Sequence, residues 1–552
     1  MGADAIRGLH EPKENEPPLV VSEGPGSSVV VANGLAQSRE ELVTVRVARP
    51  DVLVKDAATG AVLPSQINAV SAEEGDAAFD LVFKSGVPAL GETRYIVETC
   101  LTTKSTDPPY AVPGPDCATQ ASVSTKVEQS SFRVGQWRVS IDPHDSSFKL
   151  FALKRSGSDE EEETLMNVNN LNWVQYDSPH DDVYRFDGQS DASPLPSEWS
   201  KVTAMRVQKG PLMTVADVSL AGGALMRFSL VEPGRLLQLE LDVPAPSELG
   251  RDTVLRFQSD LQTDRGANYA VNGYQSDRAS FDDTRPAGEN YYPLCTRAWL
   301  KEEEDGAATG RALAVHTESP VGFMSGSVGR IELMLHRRTR SQVSGNVPRG
   351  NDTKRARHKL HLLPVGAGKG DHGIEHKSAL VDRLIQNPLR VLVASYKQTS
   401  GLNSQEEALA SQKRTTSKNS FNDLPREVGL LAFRSVRNGF WQLQLENLLA
   451  TNEGGKNVSV ELDRFLSTAG INPRWVVKEM SITFGYSAAE ARQRRMWGKE
   501  GKQGEAAAGS VAACLPQDGN GLKVVLAPKE ICSILLRAPA HLDSFGKATQ
   551  AF

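Results

Sequence analysis

The chain has 552 residues, of which 39% are apolar and 24% charged. That length exceeds one compact core and implies roughly three or four domains. The net charge of -6 provides no basic field for nucleic acid, and no run approaches the ~20 apolar residues that a membrane-spanning helix needs.

In chain order, residues 1–24 read as a disordered N-terminus. Met1 to Pro17 is polar, with Arg7, Lys13 and three glutamates, and lacks the apolar stretch of a signal peptide. Gly2 follows Met1, but Ile6 stands where myristoylation needs Ser or Thr. Short runs of alternating polarity then predict strands at Ser28 to Ala32, Leu42 to Ala48, Val52 to Val54, Ala78 to Phe83 and Arg94 to Glu98. Pro50-Asp51 and Ala58-Thr59-Gly60 supply the turns. Together they predict a small antiparallel β-sandwich over 25–105, followed by a Pro-, Ser- and Thr-rich linker over 106–127.

A larger β region, 128–365, follows. Phe132 to Ile141 alternates, Asp142 to Asp145 turns the chain, and further strands are expected at Phe148 to Leu153, Thr203 to Val207, Met213 to Ser219, Leu225 to Leu230, Leu236 to Val243 and Thr253 to Leu261. The glycine-rich run Gly366 to Gly373 opens a second linker, 366–388. A C-terminal β-sandwich over 389–540 is expected to hold a polar insertion at 399–422 and one helix, Ser487 to Trp497. The fold class is all-β, with tandem antiparallel sandwiches.

Five cysteines exclude a disulfide-rich scaffold. Cys100–Cys117 and Cys514–Cys532 have spacings that a loop or hairpin can bridge, and five unrelated thiols are equally compatible with the sequence. His372-Gly373-Ile374-Glu375-His376 has the spacing of an inverted zincin motif. A zinc peptidase needs both histidines on one helical face and a third ligand. The glycine-rich setting favours a loop between β domains instead. Asp181-Asp182 and Asp282-Asp283 are read as acids that solvate loops.

A set of collinear segments carries a family resemblance. They are Val29 to Leu35, Pro64-Ser65-Gln66-Ile67, Val87 to Gly91, Asn272-Gly273, Gly288-Glu289-Asn290-Tyr291-Tyr292-Pro293, Arg297-Ala298-Trp299-Leu300, Leu313 to Glu318 and Gly326 to Arg338. Trp441 to Glu446, Val460 to Leu466 and Arg495-Met496-Trp497 continue the series. In this order they resemble the β-rich C-terminal portion of glycoside hydrolase family 38, the class II α-mannosidases of lysosomal type. The resemblance covers about residues 25–535.

The resemblance implies that 128–365 is a large galactose-mutarotase-like supersandwich. It implies mannose-containing glycans as ligands, hydrolysis of α-linked mannose as the associated activity, and a lysosomal or secretory home. The family places catalysis on an N-terminal α/β domain, where His and Asp residues hold zinc and another Asp is the nucleophile. No segment here resembles that domain, so the chain is expected to have no catalytic residue and no metal site of its own, and to be silent alone. That domain, if encoded elsewhere, is an expected partner. The alternative is a stand-alone carbohydrate-binding or scaffold protein.

The family's C-terminal portion lends walls to the sugar pocket. Tyr184 matches a pocket tyrosine, although Asp181-Asp182-Val183 precedes it where the family has Ser-Gly-Ala. Arg349-Gly350 matches a loop arginine, although two preceding aspartates are replaced by Ser344 to Pro348. Arg337 and Arg338 are expected to be structural, bonding carbonyls or carboxylates between domains.

Overall fold

The structure, a computed structural model, describes residues 27–70, 78–100, 117–394, 423–480 and 523–537. Short segments are excepted within the third and fourth spans, among them 182–185, 341–349 and 367–372. The expected N-terminal disorder, polar insertion and helix Ser487 to Trp497 lie outside the described residues. Two compact units form: one from residues 1–65, 70–118 and 387–552, the other from 66–69 and 119–386.

In the first unit, strand Ser27–Ala32 pairs antiparallel with Glu92–Thr99 on one side and Arg390–Ala394 on the other. Val29 and Val31 are fully buried between them. Arg390–Ala394 was expected in a separate C-terminal sandwich. Its Val391 and Val393 lie opposite Val31 and Val29, so it extends the first sheet instead. Strand Arg39–Val47 pairs with Phe79–Val87 along its whole length, and its alternation buries Val43, Val45 and Val47. The turn at Ala58 to Gly60 forms as expected. The Asp56 carboxylate accepts from the Ala58 and Thr59 amides at 3.0 and 2.8 Å, and Gly60 takes φ +73°. Cys100 and Cys117 form a disulfide. Cys532 is also disulfide-bonded, and Cys514 lies outside the described residues.

The second unit is a sandwich of a nine-stranded and a ten-stranded antiparallel sheet. Strand Leu236–Val243 buries alternate residues, as a strand with one face on a core must. Trp137, Phe148, Phe228, Phe257 and Phe323 fill the space between the sheets. The expected linker 106–127 contributes strand Ser122–Ser124, which pairs with Val202–Lys209.

The expected linker 366–388 contains a helix, Ile374–Gln386. Glu375 in the first turn and Arg383 in the last suit the helix dipole. The helix lies on the outer face of strands Arg297–Glu304 and Ala307–Thr317, where Ile374 joins Trp299, Ala312, Ala314 and Leu363. Its buried face also holds Glu375, Ser378 and Asp382. Glu375 pairs with Lys301. Asp382 accepts from Arg297 at 2.9 Å, with both side chains almost fully buried. With His376, four of its six buried residues are therefore polar, which hid the helical period in the sequence.

Candidate functional site

Three neighbouring strands of the nine-stranded sheet, Glu162–Asp177, Arg251–Ser259 and Arg330–Arg338, form the base of the site. Their inward faces send Trp173, Leu255, Ile331 and Leu333 to the main core. Their other face carries two rows of polar residues across the strands. Tyr176 lies opposite Asp252 and Asp252 opposite Arg337, while Asn172 lies opposite Arg256 and Arg256 opposite Glu332.

A second layer covers these rows. Tyr176, Phe186 and Tyr291 form a mutual edge-to-face triad with ring centroids 5.0–6.1 Å apart. Glu332 is fully buried beneath it. Its carboxylate accepts from Arg256 Nε at 2.7 Å, Tyr176 Oη at 2.8 Å and Tyr291 Oη at 3.2 Å. Burial, with the Glu332 charge beside them, holds both tyrosine hydroxyls well above their usual range. Both tyrosines stay neutral donors to the carboxylate.

The motif residues Gly288 to Tyr291 build the support for this layer. Asn290 accepts from the Asp282 amide at 2.8 Å and donates to the carbonyls of Asp282 and Pro286. Gly288 is required because any Cβ there would collide with the Phe186 carbonyl. Asp282 and Asp283 stand on a loop, as expected, and Asp282 binds its own turn through Thr284.

Asp181 overturns the expectation of a solvated acid pair. It is fully buried, and its carboxylate accepts from the Arg340 amide at 3.0 Å and from Arg337 Nη2 at 3.5 Å. The same Arg337 donates from Nε to Asp252 at 3.2 Å and lies 5.3 Å from the centre of the Phe186 ring. Ser178 Oγ donates to the other Asp252 oxygen at 2.7 Å. Arg338 donates to the carbonyls of Pro246 and Ser247 at 2.9 and 2.6 Å. Both arginines thus bond the group types expected of them, but these partners lie within the second unit, not between domains.

Tyr184 and Arg349 lie outside the described residues. The described flanks of their segments, however, come together. Asp181 and Phe186 bracket 182–185, and both contact Arg337. Arg340 and Gly350 bracket 341–349. Arg340 binds Asp181, and the Thr339 amide donates to the Gly350 carbonyl at 3.0 Å. Asp181, which accepts from both Arg337 and the Arg340 amide, therefore joins the roots of the two segments that hold the sequence-predicted pocket residues.

Asp252 has an unusual proton affinity. Burial pushes its carboxyl up to about 6, against the opposing pull of Ser178 and Arg337, and the Asp181 charge adds to the rise. A carboxyl raised on folding adds stability that is complete below its unfolded value and lost as pH rises through the folded value. From 3.8 to about 6 the change amounts to about 3 kcal/mol. Asp252→Asn removes this titration. Its melting temperature relative to the unsubstituted chain should rise between pH 4.5 and 7.5. Thermal unfolding at several pH values checks this, and a pH-independent offset would contradict it.

Ile374 to His376 of the motif stand on a helix and not in a loop. His376 is buried on helix Ile374–Gln386, Glu375 is engaged by Lys301, and His372 lies outside the described residues. Among the described residues no group of three or more His, Cys, Asp or Glu side chains is placed to hold a metal ion.

No family model matches the chain. Curated relatives do. The chain is 24% identical over 567 residues to an α-mannosidase of Arabidopsis thaliana, spanning 95% of this chain and 52% of that protein. It is 22% identical to the α-mannosidase of Canavalia ensiformis, spanning 92% and 53% of the two. It is 26% identical to the human epididymis-specific α-mannosidase over 64% of this chain and 36% of the other. The chain spans about half the length of the first two of these relatives. The crystal structure of an Enterococcus faecalis α-mannosidase superposes with a TM-score of 0.55 at 11% identity, covering 93% of this chain and 56% of that one. A glycosyl hydrolase family 38 protein from the same organism gives 0.53 at 10%, covering 93% and 58%. Across most of its length this chain is similar in sequence to curated α-mannosidases, and it shares the fold of an α-mannosidase and of a glycosyl hydrolase family 38 protein.

Proposed function

We propose that this chain acts in the hydrolysis of α-linked mannose in glycans, as the β-rich portion that walls the sugar pocket. In this reading a catalytic domain of the kind carried by longer relatives supplies the zinc and the nucleophile. Tyr184 and Arg349 are the wall residues, and Arg337, Asp181 and Asp252 position them. The observation that carries the reading is the meeting of the roots of segments 182–185 and 341–349 at Asp181, which Arg337 holds.

The chemistry assigned to the wall is binding and orientation. A guanidinium offers paired N–H donors to sugar hydroxyls, and a tyrosine offers an apolar face with one hydroxyl. Asp181 and Asp252 are fully buried and bonded to Arg337, so they act on the wall and not on a glycosidic bond. The test is an enzyme assembled from this chain and a family 38 catalytic domain. Arg349→Gln should lower kcat/KM for an aryl α-mannoside by about 10–100-fold, the scale of losing hydrogen bonds from a charged donor. An unchanged kcat/KM would remove Arg349 from the pocket.

A further inference from the structure

We propose that the second unit binds a small organic anion, a carboxylate or phosphate monoester with an apolar body, over the hairpin of strands Ser131–Val134 and Trp137–Ile141. A pocket of about 540 Å3 opens there, within the size range of small-molecule sites. Arg133, Arg138 and Lys209 line it together with Phe132, Met213 and Leu230, and among the described residues no Asp or Glu lines it. The cations are exposed, whereas Phe132 is buried and Leu230 partly buried.

Arg133 and Arg138 lie directly opposite each other across the hairpin. Like charges at directly opposed positions are destabilising in a sheet, and an anion between them reverses the sign of that effect. Both side chains are already directed. Arg133 Nε donates to the Gly135 carbonyl at 2.9 Å, and Arg138 packs 4.6 Å from the centre of the Phe151 ring. Lys209 comes from another sheet, at the end of strand Val202–Lys209.

The opposite wall is set before any ligand arrives. The Gly210 amide donates to the Met213 carbonyl at 3.1 Å, closing a tight turn. Gln66, fully buried, holds that turn from behind. Its Oε1 accepts from the amides of Leu212 and Met213 at 2.9 and 3.1 Å, and its Nε2 donates to the Met213 carbonyl at 3.0 Å. Any Cβ at position 210 would collide with the Gln66 amide. Gln66 belongs to the Pro64 to Ile67 run, to which sequence alone gave no role. A wall fixed in this way reduces the ordering cost of binding. Three cations select an anionic head through charge-assisted hydrogen bonds, and the apolar residues take the body of the ligand.

Isothermal titration of phenyl phosphate into the full chain at low salt tests the proposal, with benzyl alcohol as the neutral comparison. Saturable binding of phenyl phosphate is expected, at least tenfold tighter than benzyl alcohol. Arg133→Gln/Arg138→Gln should weaken it about tenfold or more. The variant's melting temperature is measured alongside, so that loss of binding is separated from loss of fold. Lys209→Gln, on a different strand, provides the independent second variant and should also weaken binding. Equal affinity for the two probes, or unchanged phenyl phosphate affinity in both variants, would overturn the proposal.

Discussion

Replacing Arg297 by Met should destabilise the second unit by about 3–5 kcal/mol, the scale of leaving one member of a buried ion pair without its partner. Arg297 Nη1 lies 2.9 Å from Asp382 Oδ2, and neither side chain reaches solvent to a useful extent. Burial by itself would raise the Asp382 carboxyl, but His316, 3.6 Å away, and Arg297 outweigh it and hold the group below its usual range. Burial also holds His316 below the usual histidine range, against the pull of Asp382. Arg297 is therefore the permanent cation of the cluster. The pair attaches helix Ile374–Gln386 to the sheet at one end, and Lys301 with Glu375 does so near the other. Arg297→Met should give the largest loss of amide protection in that helix. Arg297→Met/Asp382→Leu should cost much less than the single change, because it leaves no buried charge uncompensated. Denaturant unfolding and hydrogen exchange measure both effects. A single-variant loss below about 1 kcal/mol, the scale of an exposed pair, would contradict this account of the helix.

Arg337→Met should have a comparable effect on stability and a larger one on function. It strips the cation shared by Asp181 and Asp252, both fully buried. The expected loss is again about 3–5 kcal/mol. Arg337→Lys retains the charge but lacks the fork that serves two carboxylates at once, so an intermediate loss is expected. Asp181, which bonds the roots of 182–185 and 341–349 to each other, is held by the same side chain. In the assembled enzyme, kcat/KM for an aryl α-mannoside should fall at temperatures where the variant remains folded. Circular dichroism alongside kinetics separates the two effects. A variant that is destabilised yet fully active would show that Arg337 supports the fold alone.

The strands were legible where one face is apolar and the other wet. Leu42 to Ala48 and Leu236 to Val243 stand where alternation placed them. Helix Ile374–Gln386 was not legible, because Glu375, Ser378 and Asp382 occupy its buried side. The pairing of Ser27–Ala32 with Arg390–Ala394 joins segments about 360 residues apart, and no local pattern encodes such a partner. At the candidate site the family-like segments held more than their sequence disclosed. Gly288 and Asn290 proved to be packing and loop-bracing residues. Asp181 was misread because adjacent acids on a loop usually face water, and its partner Arg337 lies 156 residues away. Asp252 and Glu332 were missed for the same reason. A buried carboxylate looks like any other in sequence, and only the partner strand identifies it.

In the proposed function a supporting β region is divided from a metal-bearing catalytic centre outside it. The purified chain should be given an aryl α-mannoside with added zinc, with and without a chelator, and its bound zinc quantified. No turnover above the uncatalysed rate and no stoichiometric zinc are expected. Turnover that the chelator abolishes, with one tightly held zinc per chain, would contradict the account.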